Sequence, residues 1–263
     1  MFASGLLARF MQSPTQIHYN TAKRLLRYIK GTTDLGLKFE GGKEVCLEGF
    51  RDSDWAGSSE DMKSTSGFAF SLGSVIFCWS SKKQSIVAQS TAEAEYIAGS
   101  EAANHAVWLR KIMADLGFEQ TKPTVIWCDN QSDVAITKNP VFYGRTKHIK
   151  IKYHVLREAE AEGLISMKHC STQDQSADIF TKALSKPRFE DLKTMVGMIS
   201  GIGKEECCNM SLGGSLSTYL CLGAQEMKSV AEETEKTEKA CMKEMKMKME
   251  PAGRCFGLSA TLD

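Results

Sequence analysis

The stretch VCLEGFRDSDWAGSSEDMKSTSGFAFSLGSVIFCWSS, residues 45–81, contains three apolar, β-branched and aromatic runs separated by turns rich in Gly and Ser. Such runs, bounded by turn residues, predict β-strands over 45–55, 64–72 and 74–81. Because the connections are short, we expect the three strands to form an antiparallel meander. The first strand carries Asp52 and Asp54, which a strand places on the same face.

Helical and strand patterns alternate after this meander. Residues 90–117 predict a long helix, with Ser90 or Thr91 as N-cap and Gly117 as the stop. The nearly continuous apolar run at 124–130 predicts a buried strand inside the sheet. The remaining predictions are a helix at 131–139, a helix ending the segment 148–163, a strand at 164–170 and a helix at 172–184 capped by Thr172. The order predicts an α/β fold with a mixed five-stranded sheet flanked by helices.

The two ends of the chain differ from this middle region. Residues 15–30 predict an amphipathic helix stopped by Gly31, and residues 35–40 predict a strand that turns at Gly41-Gly42. After about residue 198 no stable period remains, and a charged, Met-rich segment follows. We therefore predict a linker over 1–42, a folded domain over 43–197 and an irregular tail over 198–263.

Composition limits the classes of function. The 263 residues are 42% hydrophobic and 25% charged with a net charge of +1, so any attraction to nucleic acid must be local. The cysteines before residue 198 lie in strand-like runs, and no Cys-x-x-Cys pair occurs, which favours reduced thiols over disulfides or zinc. No apolar run is long enough to span a membrane, and the start lacks a signal-peptide pattern. A cytosolic or nuclear protein without membrane attachment is expected.

Four acidic residues lie at the edges of predicted elements. Asp52 is inside the first strand, Glu95 is near the start of the long helix, Asp129 closes the buried strand and Asp178 is in the last predicted helix. Carboxylates that meet in a buried site stay ionised only if a cation offsets them, and oxygen ligands suit Mg²⁺ or Mn²⁺. Helix caps and solvated surface acids explain any single one of the four better, so convergence stays a hypothesis at this point.

Seven motifs occur in an order that identifies a resemblance. They are DSDWAG, KSTSGFAF, WSSKKQ, STAEAEYIA, WCDNQS, NPVFYGRTKHIKIKYH and DQSADIFTK. Together they resemble the ribonuclease H domain at the end of copia-type retrotransposon Pol polyproteins, over roughly residues 45–197. The preceding helix and GTTDLGLKF resemble the linker that joins reverse transcriptase to that domain.

The resemblance implies a ribonuclease H-like fold and a metal-dependent hydrolase. The family's four ligand positions fall on Asp52, Glu95, Asp129 and Asp178. It implies that two Mg²⁺ (or Mn²⁺) ions assist hydrolysis of the RNA strand of an RNA–DNA hybrid, leaving 5′-phosphate and 3′-hydroxyl ends. His169 lies where many ribonucleases H keep a histidine for proton transfer or product release, although a structural histidine at a strand end fits equally well.

The resemblance also favours particular substrate contacts and partners. Lys82 and Lys83 follow the third strand, Asn130, Gln131 and Ser132 follow Asp129, and Lys147 lies in a second basic cluster. These residues are expected to contact the hybrid through phosphates and polar groups. A reverse transcriptase in cis and, in the intact element, a cytoplasmic virus-like particle are implied as partner and location.

Alternative interpretations stay open. The chain could be a catalytically inactive retrotransposon remnant that only binds nucleic acid, or an interaction domain whose tail recruits a partner. His148 and His154 fit packing or surface polarity better than metal binding. Asp54 opens the turn after the first strand and is predicted to shape that turn, leaving Asp52 as the ligand.

Overall fold

Five strands form one mixed sheet in the computed structural model of the chain, which describes residues 1–39, 45–73, 75–138 and 154–200. Two compact units are present, one containing residues 3–34 and the other containing residues 35–200 of the described chain. The helices of the described segments are α1 Phe2–Ala8, α2 Gln16–Lys30, α3 Thr91–Asp115, α4 Gln131–Lys138, α5 Val155–Ala161 and α6 Lys186–Met195. The strands are β1 Leu35–Leu37, β2 Leu47–Asp54, β3 Thr65–Leu72, β4 Val75–Lys83, β5 Thr124–Cys128, β6 Ile165–His169 and β7 Met198–Ser200.

The five-stranded sheet has the order β4-β3-β2-β5-β6. Strands β2, β3 and β4 pair antiparallel, which confirms the predicted meander. Strands β5 and β6 add in parallel on the other side of β2, so β5 is an interior strand as predicted. Because β2, β5 and β6 run in the same direction, residues at their carboxyl ends lie at one edge of the sheet.

The long helix α3 packs on this sheet. Ser90 caps it by accepting a hydrogen bond from the backbone N–H of Glu93, and Gly117 follows its end with φ of +82°, a left-handed conformation that favours glycine. The core that α3 shares with the sheet includes Phe70, Ile97 and Ile126, all fully buried. This helix is thereby held against β2 and β3, which fixes the position of the acidic residues in its first turns.

The predicted helix over 172–184 is wrong. The segment forms two short 3₁₀ turns, Thr172–Asp174 and Ser176–Phe180, and the first is capped by Ser171 instead of Thr172. Gln175 between them has an extended backbone with φ of −76° and ψ of 93°. Its buried side chain donates to the backbone carbonyl of Arg51 at 2.9 Å and accepts from the N–H of Ala177. This contact with β2 replaces the helical hydrogen bonds that local propensity predicts.

A second, two-stranded sheet extends the unit beyond the predicted domain limits. Strand β1 pairs antiparallel with β7, joining Leu35–Leu37 to Met198–Ser200. Both strands belong to the unit that holds the five-stranded sheet, so the boundaries predicted at 43 and 197 lie inside it. Residues 201–263, which carry the rest of the predicted tail, lie outside the described residues.

The unit of residues 3–34 contains the predicted amphipathic helix. Helix α2 is capped by Thr15, whose hydroxyl accepts from the backbone N–H of His18 while the His18 ring accepts from the N–H of Thr15. Gly31 ends it, as predicted. Among the helices of the described segments, none is both long and apolar enough to cross a membrane.

Candidate metal centre

Three of the four predicted acidic residues converge at the carboxyl edge of the sheet. Asp52, Asp129 and Asp178 each offer a carboxylate oxygen, and these oxygens lie within 4.8 Å of one another. Asp52 comes from β2, Asp129 directly follows β5, and Asp178 lies in the second 3₁₀ turn. Asp52 and Asp178 are buried and Asp129 is half-buried. An oxygen-only set of this kind is compatible with a divalent cation such as Mg²⁺.

Glu95 reaches the same site but is not part of this triad. One carboxylate oxygen accepts from the Arg51 guanidinium at 2.7 Å, and the other accepts from the hydroxyl and backbone N–H of Ser53 at 2.9 and 3.3 Å. Arg51 and Ser53 alternate with Asp52 along β2, so they lie on the opposite face of the strand. Helix α3 thereby holds Glu95 against the two chain neighbours of Asp52, and Glu95 lines a cavity together with Asp52 and Asp129.

Arg51 is a functional neighbour that sequence reasoning missed. Its side chain is fully buried and forms ion pairs with Glu95 and with Asp133 of α4. Asp133 is fully buried too. Arg51 also donates to the backbone carbonyl of Glu95 at 2.7 Å. Charged side chains are almost never fully buried unless they are paired. A cationic residue inside a predicted strand, next to the predicted ligand Asp52, was the available signal.

The surroundings of Asp52 oppose its ionisation. Burial, followed by the negative charge of Glu95, raises the pKa of Asp52 from 3.8 to about 7. The Lys182 ammonium and a hydrogen bond donated by the Thr181 hydroxyl lower this pKa in part. A nearby divalent cation would favour the ionised carboxylate, so the site's acid–base chemistry fits a cation-binding role.

The stability of the metal-free protein is expected to depend on pH through Asp52. Between about pH 4 and pH 7 the folded state retains a proton on Asp52 that the unfolded chain has lost, so the free energy of unfolding falls as pH rises. Asp52→Asn should flatten this slope. Urea unfolding in EDTA across that range measures it. An unchanged slope in Asp52→Asn would contradict the assignment.

Two cations hold Asp178 in place. Lys182, four residues further along the chain, places its ammonium 3.0 Å from one oxygen of Asp178. Arg188 of α6 places a guanidinium nitrogen 3.4 Å from the other oxygen and also donates to the carbonyls of Thr172 and Gln173, each at 2.8 Å. Helix α6 thus anchors the turn segment that carries the third carboxylate.

Asp52 and Asp129 line a cavity of about 440 Å³, together with Ser53, Glu95 and Lys182. Asn130, Gln131, Ser132 and His169, which are predicted to contact the substrate or to take part in catalysis, line it too. The Asn130 side chain accepts from the backbone N–H of Ser132 at 3.0 Å and so caps the start of α4. His169 is exposed at the end of β6, where it pairs in register with Cys128, the residue before Asp129.

The lysines that are predicted to contact the hybrid lie in different surroundings. Lys82 is exposed on β4, whereas the Lys83 ammonium pairs with Asp61 at 2.7 Å. Neither lysine lines the cavity that Asp52 and Asp129 line. Lys147 lies outside the described residues, as does His148, and His154 sits 3.3 Å from the Tyr96 hydroxyl, in accord with a packing role.

Asp54 lies apart from the triad. It ends β2 beside a turn in which its carbonyl accepts from the N–H of Gly57 at 3.4 Å, and its carboxylate occupies the space that a side chain at Gly57 would need. Ala56 in the same turn has a left-handed φ of 54°. These contacts support the prediction that Asp54 shapes the turn.

Comparison with known proteins finds relatives among transposon polyproteins. The chain is 38% identical over 198 residues to the retrovirus-related Pol polyprotein from transposon RE2 of Arabidopsis thaliana, covering 75% of this chain and 14% of the relative. It is 39% identical over 198 residues to the corresponding polyprotein from transposon TNT 1-94 of Nicotiana tabacum, covering 75% and 15%. No protein-family model matches the chain. Ribonuclease H1 from the halophilic archaeon Halobacterium salinarum NRC-1 superposes with a TM-score of 0.32 and 17% identity, covering 51% of this chain and 93% of that one.

An antiparallel meander, a long helix and two further parallel strands define a ribonuclease H-like α/β fold, with its acidic triad at the carboxyl edge of the sheet. The chain belongs to the family of retrovirus-related Pol polyproteins of copia-type transposons. This confirms the resemblance found in the sequence motifs. The chain spans only 14% and 15% of the length of the two relatives described above.

Proposed function

We propose that this domain hydrolyses the RNA strand of RNA–DNA hybrids during retrotransposon reverse transcription. The observation that carries the proposal is the convergence of Asp52, Asp129 and Asp178 from three separate elements, with carboxylate oxygens within 4.8 Å of one another. Asp52 and Asp129 also line an open cavity together with Glu95. Buried carboxylates that face one another are costly without a cation, so their convergence argues for a metal-dependent role. The Pol polyprotein family supplies the reaction in which such a hydrolase would take part.

The four predicted carboxylates would hold two Mg²⁺ or Mn²⁺ ions: Asp52, Glu95, Asp129 and Asp178. Arg51 and Ser53 would orient the Glu95 carboxylate through their hydrogen bonds. When bound, such ions supply the Lewis acidity that activates water and stabilises the leaving 3′ oxygen. The strand and turn positions of the carboxylates keep their oxygens aimed at one volume. His169, which lines the cavity and is exposed, would carry a proton between the reacting phosphate and solvent.

Hybrid binding would use the polar residues around the triad. Gln131 and Ser132 are exposed in the first turn of α4, where side-chain and backbone donors can face a phosphate. Asn130 holds that turn in place. Lys82, Lys83 and Lys147 are proposed as outer phosphate contacts. To contact a phosphate, the Lys83 ammonium would have to give up its ion pair with Asp61 or bind both groups.

Cleavage of a labelled RNA–DNA hybrid tests the function. The wild-type protein with Mg²⁺ is expected to cut the RNA strand, and EDTA should stop the reaction. Asp129→Asn should lower the rate by more than about a hundredfold, since even residues that only support metal ligands are worth about 10–100-fold. Asp115→Asn, at the exposed end of α3, is the matched control and should keep the wild-type rate.

The same assay separates the alternatives. Tight hybrid binding without cutting by the wild-type protein would indicate an inactive remnant, and absence of both would leave an interaction domain. A reverse transcriptase in cis is a proposal drawn from the family, whose members are polyproteins. Location in the cytoplasm, in a virus-like particle, or in the nucleus stays a prediction.

A further inference from the structure

Lys182 lies between two of the three carboxylates. Its ammonium nitrogen is 3.0 Å from an oxygen of Asp178 and 3.2 and 3.3 Å from the two oxygens of Asp52. The same side chain lines the cavity that Asp52, Glu95 and Asp129 line. A single ammonium therefore contacts oxygens that a divalent cation in this cavity would need.

The chain holds this ammonium in place from two directions. Lys182 follows Asp178 by four residues, and Thr181 beside it donates to Asp52, so the segment that carries Asp178 also brings the lysine to β2. The lysine side chain is 35% exposed, in contrast to the nearly buried carboxylates of Asp52 and Asp178. Partial exposure leaves Lys182 a path into solvent that its two acidic partners lack.

The charges at the site make this contact consequential. Three carboxylates within 4.8 Å repel one another in a partly desolvated cavity. Hydrogen bonds between an ammonium and carboxylates are among the stronger ones in proteins. Mg²⁺ and Mn²⁺ bind carboxylate oxygens at about 2 Å, a distance that leaves no room for an ammonium on the same lone pairs.

We propose that Lys182 is a built-in counter-ion that holds Asp52 and Asp178 together in the metal-free protein and competes with the divalent cation for their oxygens. The inference rests on the proposed metal-dependent function and adds a residue that sets the affinity of the site for its cation. Lys182 leaves the two carboxylates as the cation enters. It is a positioning residue, since it acts through the carboxylates.

Mn²⁺ binding without nucleic acid tests the proposal directly. Lys182→Met, which keeps much of the side chain's length without its charge, is expected to bind Mn²⁺ about tenfold more tightly by electron paramagnetic resonance titration, the size of one strong charge-assisted hydrogen bond. Lys182→Arg keeps the charge and should stay within about threefold of wild type on the same basis. Lys186→Met, at an exposed position at the start of α6, is the matched control and should bind like wild type.

A second readout separates competition from a merely structural role. In EDTA, Lys182→Met should melt a few degrees below wild type, because the facing carboxylates lose their counter-ion. In saturating Mn²⁺ that difference should disappear or reverse. A structural lysine would lower the melting temperature in both conditions and would loosen metal binding.

The outcomes distinguish this proposal from the function on which it rests. If wild type binds Mn²⁺ and cuts the hybrid but Lys182→Met binds no more tightly, the counter-ion role is overturned and the hydrolase stands. If wild type neither binds Mn²⁺ nor cuts, both proposals fail together. Tighter binding in Lys182→Met with wild-type affinity in Lys186→Met supports the counter-ion role.

Discussion

Asp52→Asn is expected to reduce hybrid hydrolysis by more than about a hundredfold, whereas Asp54→Asn should stay within about threefold of wild type. The two residues lie two positions apart on the same strand. Asp52 offers an oxygen within 4.8 Å of oxygens of Asp129 and Asp178, whereas Asp54 packs over the turn at Gly57. The pair therefore compares a carboxylate in the triad with one beside it on the same face.

Single-turnover cleavage of the labelled hybrid measures this difference without interference from product release. Both variants should be compared at saturating Mg²⁺ and at a pH of about 8, where the Asp52 carboxyl, with a pKa of about 7, is ionised even before metal binds. Equal losses of hydrolysis rate in both variants would contradict the assignment of Asp52 as a metal ligand and of Asp54 as a turn residue. Thermal melts of each variant check that Asp54→Asn has not simply unfolded the turn.

Arg51→Met is expected to lower the free energy of unfolding by about 3–5 kcal/mol, the usual cost of removing one partner from a buried ion pair. The substitution leaves Glu95 and Asp133 buried without the guanidinium that offsets them. It also removes the donor to the backbone carbonyl of Glu95, which holds the start of α3 against β2. Urea unfolding in EDTA measures the loss free of any contribution from bound metal.

Two further variants define how much of that loss belongs to the ion pairs. Lys193→Met removes a surface pair with Glu190 on α6 and should cost no more than about 1 kcal/mol. The double variant Arg51→Met with Asp133→Asn should be less destabilised than the sum of its two single variants, because each single one strands a charge that the double one does not. Strict additivity would show that Arg51 and Asp133 do not depend on each other.

Much of the fold was predictable because it follows from local patterns. Runs of β-branched and aromatic residues separated by short Gly- and Ser-rich turns specify the meander of β2, β3 and β4. Ser90 and Gly117 delimit α3 through capping chemistry that depends on neighbouring residues alone. The nearly continuous apolar run of β5 predicts an interior strand, and β5 lies between β2 and β6 in the sheet.

The candidate site was predictable only in part. The strand and loop ends that carry Asp52 and Asp129 follow from the pattern of elements, and their convergence follows once β2 and β5 are parallel neighbours. The segment that carries Asp178 was wrongly predicted to be a helix. Its Gln175 side chain is held by a hydrogen bond to the backbone carbonyl of Arg51, and a contact between residues 124 positions apart cannot be predicted from local propensity. Glu95 was expected among the ligands, and its pairing with Arg51 joins residues 44 positions apart.

The amino-acid sequence by itself determined the type and order of the main elements, the family and the acidic residues worth testing, because propensity, capping and motif spacing are properties of neighbouring residues. Only the tertiary structure decided which carboxylate oxygens converge, that Glu95 pairs with Arg51 while it lines the cavity beside Asp52, and that Lys182 lies between Asp52 and Asp178. Those outcomes depend on distances between charges brought together from separate elements. Coulomb energies change steeply with such distances and with burial, and neither quantity exists until the chain has folded.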